Sequence, residues 1–303
     1  MAETTKLSAL TTGAERATGP GIISRLGSLV KIEHTVFALP FAALGMLLGA
    51  GGLPQIGTVL LILLALISAR TAAMSFNRIV DRRFDSENPR TAERELPTGA
   101  LQLWQARTVV IVSSILFVGA AFLLRPLCGW LSLPTLCLIL GYWYTKQFTA
   151  LSHLFLGIGL GISPGAAWLA VGAPLTLTPV ILGVIVALWV AGFDILYSLS
   201  DIDFDRQRGL HSLPEKLGAA RALMLSRILH TLCFVSMLYL YFQLAFPFWT
   251  VATLAPTLIL FIRQHTLVSA DDFSKLDVAF FSMNGWIGFL FCGAVAGVRF
   301  TVA

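Results

Sequence analysis

Charge is the scarcest property of this 303-residue chain. Asp, Glu, Lys and Arg make up 12% of it, against 56% hydrophobic residues, and its mean hydropathy is +0.81. Soluble domains carry about 25% charged residues, because the surface of a folded chain has to be covered with groups that water solvates. So little charge excludes a soluble globular enzyme, a disordered chain and a nucleic-acid reader, even with a net charge of +5. Cysteine is scarce too. Cys128, Cys137, Cys233 and Cys292 lie in or beside apolar runs and at no metal-ligand spacing, so no cysteine-based metal centre is expected. Short alternating segments are missing, which excludes a membrane β-barrel. The first residues lack the apolar core of roughly 7–15 residues that a cleaved signal needs. Residues 1–30 therefore read as a disordered cytoplasmic lead, and 31–303 as a single transmembrane domain.

What is present is a series of long apolar runs, so the expected fold is all-α and polytopic. A spanning helix needs roughly 20 mostly apolar residues. Nine candidates run over 34–52, 56–80, 108–124, 127–144, 151–171, 179–199, 220–242, 246–262 and 278–298. Basic residues orient them, because Lys and Arg accumulate on the cytoplasmic side. With a cytoplasmic N-terminus, only Arg125 and Arg299 of the 21 basic residues fall on the far side.

Two polar intervals interrupt the pattern. One closes the second span with Asn77, Asp81 and Asp85; the other closes the sixth with Asp194, Tyr197, Asp201 and Asp205. A shift of 120 residues superposes Asn77 on Tyr197, Asp81 on Asp201 and Asp85 on Asp205. Four spans separate the intervals, which predicts a parallel four-helix repeat with both clusters at the cytoplasmic end. Residues four apart share a helix face, so each interval carries a carboxylate stripe, with Asp194 two turns deeper. One DxxxD carries little weight, since charges at helix ends are common. Two in register at matched ends are another matter. Facing carboxylates repel unless cations lie between them. Hard oxygen donors favour Mg²⁺, which also accepts phosphate oxygens, and neighbouring Arg and Lys suit the remaining phosphate charge. A carboxylate within an apolar span, such as Asp194, is costly and is a functional candidate in itself. The constellation reads as a diphosphate site at a membrane surface. A transporter of an anionic substrate is the competing class, but its binding charges belong near the midplane. A CDP-alcohol phosphotransferase would need a DGxxAR-type run, which is absent.

These residues resemble the UbiA superfamily of intramembrane aromatic prenyltransferases. Asn77, Asp81 and Asp85 match its first motif, with Arg78 where the family usually has Asp; Tyr197, Asp201 and Asp205 match its second. Arg70, the stretch 90–99 and Tyr144 with Lys146 add to the likeness, which covers the chain from about Lys31 onward. The resemblance implies nine helices around a central cavity, with caps formed by segments 81–107 and 200–219. It implies transfer of a polyprenyl group from polyprenyl diphosphate to an aromatic acid in quinone biosynthesis, in the bacterial cytoplasmic membrane, with membrane lipid around the chain and no nucleic acid involved. The expected acceptor is 4-hydroxybenzoate-like; a dihydroxynaphthoate of menaquinone biosynthesis is the alternative, because His211 stands where many 4-hydroxybenzoate enzymes carry Lys. On this reading Asp81, Asp85, Asp201 and Asp205 hold Mg²⁺, and Asn77 completes the first cluster. Lys31, Arg70, Arg90, Arg94 and Lys146 contact substrate anions. Asp194 binds the phenol or assists proton removal, and Tyr197 orients the substrate. Gly157, Gly159 and Gly161 are expected to let helices approach.

Overall fold

The structure, a computed structural model, describes Gly27 and residues 35–302. Among these residues every regular element is helical: α1 (Thr35–Ala50), α2 (Ile56–Glu87), α3 (Leu103–Leu124), α4 (Pro126–Gly141), α5 (Ser152–Ala170), α6 (Leu177–Tyr197), α7 (Ile202–Arg208), α8 (Leu213–Leu217), α9 (Ala219–Gln243), α10 (Ala255–Thr266) and α11 (Asn284–Thr301). The expected all-α architecture holds. Among the described residues each of the nine apolar runs falls on helical segments, and six helical stretches are long and apolar enough to cross a membrane: α2, α3, α4 with the turn after it, α5, the stretch Leu177–Arg208, and α9. The other three runs are shorter or interrupted. α1 has 16 residues. The eighth run opens as a 3₁₀ turn, Phe248–Leu254, before the 12-residue α10. The ninth opens as a π turn, Val278–Met283, before α11.

Local chemistry explains the joins. Only Arg125 separates α3 from α4. Its extended backbone (φ −160°, ψ 146°) ends one helix, and Pro126 starts the next at a position where its missing N–H costs nothing. Proline also lies inside α1, α4 and α5, at Pro40, Pro134 and Pro164. Helix interiors in a bilayer tolerate this because neighbouring groups satisfy the freed carbonyls. α2 is longer than the apolar run that predicts it: 32 residues, projecting past Val80 to Glu87. Asn77, Asp81 and Asp85 therefore lie on one uninterrupted helix.

The second stripe departs from expectation. α6 stops at Tyr197, a 3₁₀ turn covers Ser198–Asp201, and α7 starts anew at Ile202. Ser198 Oγ donates to the Ile195 carbonyl (2.9 Å) and Ser200 Oγ to the Tyr197 carbonyl (3.0 Å). Such side-chain bonds to the preceding turn compete with the α-helical ladder. Asp194, Asp201 and Asp205 thus reach one place from a broken helix.

Two packing features fix the frame. Trp189 of α6 is fully buried among Phe37, Phe41 and Phe193, with ring centroids 5.1–6.2 Å away, and its indole N–H donates to Asn284 Oδ1 of α11 at 2.9 Å. α5 meets α6 backbone to backbone. A Cβ on Gly157 would lie 2.4 Å from the Ala187 carbonyl oxygen, and one on Gly161 2.6 Å from that of Gly183. Small residues four apart permit such an approach. Gly159, on another face, touches only Ile139 at 3.6 Å, so two of the three glycines make the expected contact.

Candidate functional site

The ends of α2 and α6 meet across a cavity of about 210 Å³. Its lining includes Asn77, Asp81 and Asp85 from α2, Lys146 from the turn after α4, Asp194 and Tyr197 from α6, and Asp201 and Asp205 from the segment beyond. Arg90 and Arg94 join from the cap loop, and Arg70 from deeper in α2. Every site residue expected from sequence lines this one cavity except Lys31, which lies outside the described residues.

The cap loop is held by the acids themselves. Asn88 ends α2, and its side-chain oxygen accepts from the Arg90 N–H at 3.0 Å. Arg90 then reaches across 111 residues of sequence. Nη2 bonds both oxygens of Asp201 (2.8 and 2.6 Å), and Nη1 bonds the Tyr197 hydroxyl (2.9 Å). Burial works against the Arg90 charge, but Asp201 and Tyr197 prevail and raise its pKa above the usual guanidinium value. Arg94 Nη1 lies 2.6 Å from Asp85 Oδ1, and Thr91 donates to the Asp85 backbone carbonyl. Glu87 adds a bridge to Arg208 of α7 at 3.1 Å. These contacts bring the two motif ends to the same mouth.

On α2, the Asn77 amide donates to Asp81, one turn on, at 2.5 Å. Across the cavity the Lys146 charge acts on Asp205, Asp194, Asp201 and Asp81 together. Asp203 points away: its side chain is 90% exposed, with Arg206 at 3.9 Å. His211 contributes a backbone contact to the Lys146 carbonyl at 2.7 Å.

The lining carries Arg70, Arg78, Arg90, Arg94 and Lys146 against Asp81, Asp85, Asp194, Asp201 and Asp205, five charges of each sign. A diphosphate entering this balanced site adds negative charge that only further cations offset. Among the described residues no three His, Cys, Asp or Glu side chains converge as a ready metal cage. The donor chemistry nonetheless suits Mg²⁺. Asp85 Oδ2 and Asp205 Oδ2 are buried hard anionic oxygens without a hydrogen-bond partner, the kind of atom that a magnesium ion sharing its shell with phosphate takes up.

Beside this polar cavity lies an apolar chamber of about 610 Å³ between α1, α2, α3, α4, α5 and α6. Arg70, Tyr142, Leu156 and Leu160 line both. Sequence reasoning missed Tyr142, Thr91 and His153. His153 Nδ1 lies 2.7 Å from Asp194 Oδ2, and the one available signal was a lone histidine opening an apolar run. Arg78, noted as a departure from the motif, is buried with Nε unpartnered and adds a cation to the lining.

Fold and site together define an integral membrane protein whose helices hold a charge-balanced cavity opening onto an apolar chamber. The chain belongs to the UbiA prenyltransferase family, whose profile matches residues 38–288, and is a prenyltransferase. It is similar to the 4-hydroxybenzoate octaprenyltransferase of Alcanivorax borkumensis, 28% identical over 263 residues, 87% of this chain and 88% of that one. The enzyme of the same name from Vibrio atlanticus is 27% identical over 266 residues, covering 87% and 89%. Among solved structures, the apo form of a UbiA homolog from Aeropyrum pernix K1 superposes with a TM-score of 0.78 at 30% identity, over 88% of this chain and 98% of that one. A UbiA homolog from Archaeoglobus fulgidus bound to GPP and Mg²⁺ shares the fold, with a TM-score of 0.72 at 18% identity over 91% and 99%.

Proposed function

We propose that this protein transfers a polyprenyl group from polyprenyl diphosphate to a ring carbon of a 4-hydroxybenzoate-like aromatic acid, with Mg²⁺ as cofactor. The observation that carries this reading is the seam between the two cavities. Arg70, Tyr142, Leu156 and Leu160 line both the charged site and the apolar chamber, so one molecule with an anionic head and a long apolar tail fits across them.

Asp81, Asp85, Asp201 and Asp205 would hold the metal, and Asn77 fixes the orientation of Asp81. Mg²⁺ supplies electrostatic stabilisation of the departing diphosphate. Arg90 and Arg94 share that task by exchanging part of their carboxylate contacts for phosphate oxygens, and Lys146 adds its charge from across the cavity. The allylic C–O bond breaks with its electron pair leaving on diphosphate. A ring π pair beside the phenolic oxygen forms the new C–C bond, and the ring proton passes to Asp194. The apolar chamber houses the tail and keeps water from the allylic cation. Arg70 and Lys31 bind the acceptor carboxylate or the diphosphate, and Tyr197 orients the ring. The segments 81–107 and 200–219 act as caps.

We place the N-terminus and the cavity mouth on the cytoplasmic side of a bacterial inner membrane, with nine passages. The skew of basic residues and the bacterial relatives support this arrangement. The test is incubation of purified protein with Mg²⁺, a series of allylic diphosphates, and either 4-hydroxybenzoate or dihydroxynaphthoate, followed by product identification. A C-prenylated 4-hydroxybenzoate is expected. Prenylated naphthoate alone would move the acceptor to the menaquinone side, and no prenylation of either would overturn the reading.

A further inference from the structure

We propose that His153 is a positioning residue for Asp194, held in a single tautomer by the segment that opens α8. This rests on the reading of Asp194 as the group that receives the ring proton. His153 sits in the first turn of α5 and is fully buried. Its ring makes two polar contacts to two different elements. Nδ1 faces Asp194 Oδ2 on α6 at 2.7 Å, and Nε2 faces the backbone N–H of Leu213 on α8 at 3.3 Å.

The second contact decides the first. A backbone N–H can only donate, so Nε2 must be the unprotonated nitrogen. A neutral imidazole has one N–H, which then resides on Nδ1 and donates to the Asp194 carboxylate. Ser212 fixes Leu213 in turn: its side chain caps α8 by accepting from the Glu215 N–H at 3.2 Å. The chain of orientation therefore runs from the capped start of α8, through a buried ring, to one oxygen of Asp194. Among the described residues Oδ1 of Asp194 has no hydrogen-bond partner, and the residue lines the cavity. One oxygen is tied back and the other is presented.

This division suits proton acceptance. An acceptor must be held within hydrogen-bond reach of the proton it takes, and an orienting donor on the far oxygen limits rotation of the carboxylate. His153 itself takes no proton: it keeps its Nδ1–H throughout, and the ring proton goes to Oδ1. The Asp194 geometry also depends on the cap being seated. Without the Leu213 N–H, the tautomer would no longer be imposed and the base would lose its orientation.

Two measurements test this. The first is the ¹⁵N spectrum of selectively His-labelled protein in detergent, with the His153 signal assigned by substitution. The expected result is a protonated Nδ1 and an unprotonated Nε2. A ring protonated at Nε2 overturns the proposal whatever the protein's activity, so this readout stands even if the enzymatic reading fails. The second is kinetic. His153→Leu fills the volume without a donor or acceptor and should lower kcat by about 100-fold, the scale of a misplaced reacting group, with KM for the allylic diphosphate near wild type. His153→Gln offers an amide N–H and an amide oxygen and should recover to within about 10-fold of wild type. Equal loss in both variants, or a rise in KM that accounts for the loss, would reduce His153 to a packing role. If the Leu variant does not fold, the tautomer and the Gln variant decide the question.

Discussion

Removing Arg94 should expose the latent metal chemistry of the site without any turnover being measured. Arg94 Nη1 lies 2.6 Å from Asp85 Oδ1. The Asp85 side chain is 7% exposed and its partner's 25%, and Asp85 Oδ2 has no partner. In Arg94→Ala the carboxylate is left where water reaches it poorly. Deleting one member of a buried pair costs about 3–5 kcal/mol. The cavity admits some water, so the lower end applies, about 3 kcal/mol. For a chain of this size that is a fall in Tm of roughly 5 °C. Adding Asp85→Asn removes the uncompensated charge and should recover most of the loss, since the two substitutions act on one pair. Mg²⁺ should also raise the Tm of Arg94→Ala more than that of wild type, because the ion no longer competes with a guanidinium for Asp85. Binding at 100 times Kd is worth about 2.7 kcal/mol. The assay is thermal unfolding of purified protein in detergent across a Mg²⁺ series, with Ca²⁺ and EDTA as controls. An Arg94→Ala protein that melts within about 1 °C of wild type, or that gains no more from Mg²⁺, refutes the reasoning.

Three further outcomes are expected. Asp201→Asn should lower prenyl transfer at least about 100-fold, while Asp203→Asn, whose carboxylate faces solvent, stays within about 2-fold of wild type; equal effects would mean that α7 is rotated from the orientation described. Gly161→Leu should destabilise the fold by about 1–3 kcal/mol or more, because its side chain meets the Gly183 backbone, whereas Gly159→Ala should melt like wild type. In a background lacking the native cysteines, Arg83→Cys should react with a membrane-impermeant thiol reagent only from the cytoplasmic side, the Arg83 side chain being 88% exposed; labelling from the far side would invert the orientation.

The sequence made some of this legible and hid the rest for identifiable reasons. α2 reads cleanly because one helix carries both the apolar run and Asn77, Asp81 and Asp85 at single-turn spacing. The second motif has the same spacing but not the same backbone. Ser198 and Ser200 turn their hydroxyls onto preceding carbonyls and tighten the chain, a choice that periodicity does not register. The residues of the site were visible one by one, and their partners were not. Arg90 meets Asp201 across 111 positions and His153 meets Asp194 across 41, and no local pattern encodes contacts made by helices folding back on one another. The runs at α10 and α11 are apolar enough to be found, but each opens as a 3₁₀ or π turn that hydropathy does not register, and α1 is a single but short helix.

The contact of α5 with α6 has a mechanical consequence. Where Gly157 and Gly161 lie on the carbonyls of Ala187 and Gly183, no side chain cushions the two backbones, and neither helix can slide without collision. They form a post. His153 and Asp194 stand on that post, whereas Asn77, Asp81 and Asp85 stand on α2 across the cavity. On the proposed reading, the pair that sets proton acceptance is borne by two helices locked together, while the carboxylates proposed to hold the metal are divided between α2 and the segment beyond α6.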